Sequence, residues 1–146
     1  MFKKIDTVLA AFGNIKAMER LHVDDFTENI ITTITGTKIA ASQYGQVIIE
    51  IEELNGYTFL EVTILSNTNI KTMRGAKLVL IGNNNPYTLT SDTQEIESDF
   101  SNVSNRYMTK ISFNINSQEI TRINKKDFEY VHLEYKKKVL PFKKVL

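Results

Sequence analysis

Asn55-Gly56 constrains this chain more than any other pair of residues, because it lies between two runs in which apolar and polar side chains alternate. A two-residue type I′ turn needs positive φ at both central positions, which Asn and Gly tolerate best. The pair therefore predicts a hairpin with its register fixed at the turn. Leu54 faces Tyr57; further out, Ile51 stands opposite Leu60, Ile49 opposite Val62 and Val47 opposite Ile64. Those last three pairs share one apolar face, so turn chemistry and alternation agree. The other face sets Ile48 against Thr63, Glu50 against Glu61 and Glu52 against Phe59.

The rest of the chain carries the same signal. Ile, Thr and Val make up 41 of 146 residues while Ala supplies 6, a usage that favours the pleated surface of a sheet. Residues 30–35 and 37–41, rich in Ile and Thr around Gly36, read as one bent strand or two short ones. Ala76 to Ile81 is a nearly continuous apolar run bounded by Arg74-Gly75 and by Gly82 through Pro86, as in a central strand buried on both faces. Tyr87 to Thr90 and Gln94 to Phe100 follow. Tyr107, Thr109, Ile111, Phe113 and Ile115 then alternate with polar residues as a half-buried strand. Asn116 to Glu119 has capping-box spacing and predicts a short helix near 117–124. Phe128 to Tyr135 reads as a last strand, with Val131, Leu133 and Tyr135 on one face.

At the N-terminus, Phe2, Ile5, Val8, Leu9, Phe12 and Ile15 recur at spacings of three and four, predicting an amphipathic helical segment over residues 1–22. Lys3 and Lys4 before a short apolar run imitate a signal peptide, but the run is brief, Asp6 precedes it and no small-residue cleavage site follows. A cytoplasmic location is expected. No stretch reaches the 18 or so apolar residues that a membrane helix requires.

The expected fold is mainly β: an antiparallel sandwich or a partly closed barrel or roll of seven to eight strands, with the N-terminal helix and one short internal helix. One soluble domain covers residues 1–146, divided into the helical segment 1–22, a β-rich body 30–135 and a basic tail 136–146. A chain of this length buries enough surface to need no disulfide or metal.

Chemistry is sparse. The absence of Cys removes disulfides, thiolate metal sites and cysteine nucleophiles. His22 and His132 are isolated, with no metal-ligand spacing. His132 has Glu134 two residues on, enough for an acid–base pair only if a distant hydroxyl joins it. Gly36-Thr37-Lys38 lacks the order of a phosphate-binding loop, and Ser42 to Gly45 lacks that of a nucleophile elbow. Glu50, Glu52 and Glu61, and the row Glu95, Glu97 and Asp99, read as solvated sheet faces, with Arg106 and Lys110 as ion-pair partners. No catalytic residue, metal or cofactor is assigned.

The tail alone carries a bias. The net charge of +1 is an average over residues 1–73, with 6 basic and 9 acidic groups, and residues 74–146, with 12 and 8. Residues 135–146 hold five lysines and no acid. Lys136, Lys137, Lys138, Lys143 and Lys144, mixed with apolar side chains, suit an anionic partner; alternatively they protect an edge strand ended by Pro141. The lack of Arg there argues against nucleic acid. The reading is a non-enzymatic β-rich binding or assembly module for an unknown protein or small ligand. The alternatives are a small-molecule or lipid-binding barrel with Tyr57, Phe59 and Tyr87 at its mouth, or attachment to an anionic surface through the tail. Self-association would use the N-terminal helix or an edge strand. Integral membrane insertion is not expected, whereas peripheral attachment is compatible.

Overall fold

The computed structural model describes residues 25–83 and 86–145, so the segment 1–22 and His22 lie outside the described residues. Eleven strands are present there: β1 (Thr37–Ser42), β2 (Gly45–Leu54), β3 (Tyr57–Ser66), β4 (Lys71–Thr72), β5 (Lys77–Ile81), β6 (Tyr87–Thr90), β7 (Ile96–Glu97), β8 (Asp99–Ser101), β9 (Arg106–Asn114), β10 (Tyr130–Tyr135) and β11 (Lys138–Lys144). Nine of them form one antiparallel sheet in the order β6-β5-β10-β11-β1-β2-β3-β9-β8, while β4 and β7 pair separately. The large sheet curls into an open half-barrel, so the fold is a roll and not a sandwich. The strand count exceeds the expected seven to eight because three pieces of only two or three residues carry too little periodicity to be seen in sequence.

The β2–β3 hairpin has the expected register from Leu54↔Tyr57 to Val47↔Ile64 and continues to Gly45↔Ser66. Asn55 and Gly56 take φ values of 53° and 82°. The predicted inward residues of β2, β3, β9 and β10 line the concave face, where Val47, Leu60, Val62, Ile64, Ile111, Phe113, Val131 and Leu133 are buried. A short helix, α2 (Ser117–Asn124), covers this core with Ile123. Its capping box forms as its spacing predicts: Asn116 Oδ1 accepts from the Glu119 N–H at 2.9 Å, and Glu119 Oε1 accepts from the Asn116 N–H at 2.9 Å.

Three expectations are corrected. Residues 25–32 are helical (α1), so Ile30 and Ile31 do not begin a strand. Ile30, Ile31 and Ile34 pack on Leu65, Met108 and Ile48, on the convex face of β2, β3 and β9. Tertiary burial of these apolar positions overrides their β-branched preference. Thr32 and Thr33 give their hydroxyl protons to the carbonyls of Asn29 and Ile30, three residues back. The Glu28 carboxylate anchors α1 by accepting from the hydroxyls of Ser101 and Ser104 and lying 3.8 Å from Arg106. The two hydroxyls and then the guanidinium hold its carboxyl below the ordinary value.

Second, β5 is fully buried on one face only: Leu78 and Leu80 are buried, whereas Val79 and Ile81 on the other face are half-buried and Lys77 is exposed. Third, the run from Gln94 to Phe100 is broken: Ser98 turns the chain by accepting from the Ile70 N–H at 2.8 Å, sending Ile96–Glu97 into the small sheet and Asp99–Ser101 into the large one.

The basic tail is not an edge. β11 is hydrogen-bonded to β10 along six residue pairs from Tyr135↔Lys138 to Tyr130↔Lys143, and to β1 at Ala40↔Lys144 and Ala41↔Lys143. Among the described residues the edges of the sheet are instead β6 and β8, both short, which limits strand addition. Pro141 fits inside β11 for a geometric reason. The Val145 N–H points to Ile39 of β1 and the Lys144 N–H to Glu129, so odd-numbered positions of this strand point their nitrogens toward β1. At Pro141 the pairing with β1 has already ended, and the missing donor breaks no ladder bond.

Candidate functional site: a basic groove at the end of the sheet

Lys136 and Lys137 form the two-residue turn between β10 and β11, at φ values of 47° and 62°. This is the backbone of the Asn55-Gly56 turn, built from residues with long side chains that gain nothing from a left-handed conformation. Lys138 follows directly, opposite Tyr135, with its Nζ 6.0 Å from the ring centre. Tyr135 is buried, and burial pushes its phenol above the ordinary value.

The loop from Met73 to Ala76 stands beside this turn. Gly75 bends it at φ 75°, where an added Cβ would lie 2.7 Å from Ser91 Oγ. The Gly75 N–H donates to the Gln94 carbonyl at 2.8 Å, the Ala76 N–H to Ser91 Oγ at 2.9 Å, and the Ser91 N–H back to the Ala76 carbonyl at 3.0 Å. Gly75 and Ala76, anchored in this way, present Met73 and Arg74 beside the turn. Lys77 begins β5, paired with Glu134 on one side and Thr90 on the other.

Between the turn and the loop runs a groove of about 770 Å³, within the range of a small-ligand site. Among the described residues, Arg74, Lys77, Lys136, Lys137 and Lys138 line it with a single acid, Glu134. All five cations are solvent-exposed, so they hold their charge in water and present it across the opening. Met73 and Val139 add apolar surface, 63% and 49% exposed.

The structure thus divides the predicted lysines. Lys136, Lys137 and Lys138 come together at the groove. Lys143 and Lys144 lie at the other end of β11, where Lys144 Nζ is 3.4 Å from Glu129 Oε1 and Lys143 faces Tyr130 and Ala41 across its neighbours. Sequence reasoning missed Arg74 and Lys77, more than 55 residues upstream of the turn. Only the pairing of β5 with β10 brings them there, although Arg74-Gly75 was visible as strand punctuation.

Other candidates stay apart. His132 is half-buried between Val79 and Pro141 and makes no hydrogen bond to a hydroxyl among the described residues. Glu50 accepts from the Thr35 hydroxyl and Glu61 from the Ser112 hydroxyl, each at 2.9 Å. Glu97 lies 3.9 Å from Lys71, and Arg106 pairs with Glu28 instead of the sheet carboxylates. Among the described residues no group of three or more His, Asp or Glu side chains is placed to hold a metal ion. No described helix is long and apolar enough to cross a membrane.

The concave face is filled by core side chains, and the three aromatics assigned to a barrel mouth do not converge. Tyr57 is exposed at the hairpin tip, Phe59 lies on the convex face of β3, and Tyr87 belongs to the opposite edge, β6. Comparison with known proteins adds no relative: no family model, no curated protein and no solved structure matches this chain.

Proposed function

We propose that this chain is a non-enzymatic binding module whose ligand site is the groove between the Lys136-Lys137 turn and the Met73 to Ala76 loop, and that the ligand is anionic. The observation that carries the reading is the choice of Lys at both left-handed positions of the turn. Asn and Gly would relieve the backbone there, as they do at 55 and 56, so charge at this tip is held against conformational preference. Arg74 and Lys77 converge on it from a separate part of the chain. Cations gathered this closely repel one another and favour a negatively charged partner, most strongly at low ionic strength.

Calorimetric titration of the full chain with inorganic polyphosphate tests the reading. Wild-type protein binds, and binding weakens as salt is added. The double variant Lys136→Asn, Lys137→Gly keeps the turn and loses about 30-fold in affinity, from roughly 1 kcal/mol per cation removed. Arg74→Gln with Lys77→Gln gives a similar loss, whereas Lys143→Gln has little effect. If Lys143→Gln weakens binding as much as the groove variants do, the groove is not the site.

A further inference from the structure

The cations alone would serve any anion. The two exposed apolar side chains among them narrow the choice. Met73 precedes Arg74 on the anchored loop, and Val139, on β11 opposite Glu134, lines the groove from the other side, so each arm of the groove adds an exposed apolar side chain to the cations. We infer that the groove docks on the surface of an anionic lipid bilayer, with the lysines at the headgroup phosphates and Met73 and Val139 reaching the acyl boundary. The inference rests on the anion-binding reading above and deepens it.

Three features favour a bilayer over a soluble anion or an acidic peptide. A free phosphate has no use for Met73 and Val139, whereas an interface rewards apolar side chains flanked by cations whose stems bridge the two layers. An extended peptide binds by adding to a strand edge, and the strands at the groove offer almost none. β5 is paired with β6 and β10, and β10 with β5 and β11. Among the described residues β11 has no strand partner on its β1 side from Lys138 to Phe142, but the nitrogens facing that side belong to Val139 and to Pro141, which has no proton to donate. Finally, the one acid among the described groove residues, Glu134, is half-buried between its strand partners Lys77 and Val139, while all five cations are exposed.

Cosedimentation of the full chain with phosphatidylcholine vesicles, with and without phosphatidylserine, tests the inference beside the polyphosphate titration. Wild-type protein partitions onto the phosphatidylserine vesicles and is released by salt. Met73→Ser with Val139→Thr keeps every charge and a strand-compatible side chain at 139. It lowers vesicle partitioning about tenfold, from the apolar area withdrawn, and leaves polyphosphate affinity unchanged. Lys136→Asn with Lys137→Gly lowers both, by about 30-fold. Thermal unfolding at or above the wild-type temperature shows that each variant is folded. If the apolar variant partitions like wild type, the vesicle is bound through its charge alone and contact with the acyl boundary is overturned; if wild type binds polyphosphate but ignores phosphatidylserine vesicles, the bilayer is not the partner; in both cases anion binding stands. If wild type binds neither probe, both readings fail.

Discussion

Tyr135 and Lys138 are the closing pair of the β10–β11 hairpin: they face each other across the turn, and the Lys138 ammonium lies 6.0 Å from the centre of the Tyr135 ring. The ring is buried and so holds still, while the cation above it is exposed. Such a contact contributes about 0.5–1 kcal/mol at an exposed site. Lys138, Lys136 and Lys137 all line the groove.

The turn is where stability and the proposed binding oppose each other. Replacing Lys136 by Asn and Lys137 by Gly puts the preferred residues at φ 47° and 62° and also removes two neighbouring like charges. The expected gain is about 1 kcal/mol, raising the unfolding temperature by about 3 °C, as measured by calorimetry. An unfolding temperature that falls would mean the lysines are structural, and the conflict between stability and charge would disappear.

Tyr87 predicts an alkaline limit. Burial pushes its phenol up to about 12 from an ordinary 10, only partly offset by Arg122, whose guanidinium carbon lies 4.0 Å from the ring centre. Its hydroxyl oxygen is buried with no hydrogen-bond partner among the described residues. A folded-state value above the unfolded one means that the folded protein holds the proton more tightly. The associated stability is complete below pH about 10 and is lost as pH rises toward about 12. Tyr87→Phe flattens this loss and leaves neutral stability unchanged or higher, because it removes a buried hydroxyl that bonds nothing. Tyrosinate absorbance and unfolding temperature across the alkaline range check both statements; a steeper alkaline loss in Tyr87→Phe contradicts them.

Two glycines separate a conformational cost from a steric one. Gly56 takes φ 82° with nothing within 4 Å of an added Cβ, so Gly56→Ala costs about 1 kcal/mol. Gly45 takes φ 151°, and its Cβ would lie 2.0 Å from the Leu65 carbonyl oxygen on β3. Gly45→Ala must push β2 and β3 apart at Gly45↔Ser66, and a cost above about 3 kcal/mol is expected from denaturant unfolding. Equal costs at the two sites would show that the strands yield easily there.

What could be read from the sequence was local in origin. The β2–β3 register follows from one dipeptide and the alternation around it, and α2 from a four-residue capping box. Residues 30–32 misled because Ile and Thr favour strands in isolation, yet Ile31 finds its burial against Leu65 and Met108 as part of a helix. For the proposed site, the lysines at 136, 137 and 138 stood out as a charge run. Arg74, Lys77 and Met73 did not, since each looks like an ordinary surface residue until β5 is placed beside β10.

The amino-acid sequence by itself determined that this chain is a mainly-β protein, where its long hairpin turns and how its internal helix begins. These depend on φ preferences, alternation and capping, which act over a few residues. Tertiary structure alone decided that the basic terminal segment becomes an interior strand, with Ala41 bonded across to Lys143 roughly a hundred residues away, and that its turn meets Arg74 and Lys77 across a groove. Those pairings close long loops and are selected by how the whole sheet curls around one apolar face, information that no short stretch of sequence holds.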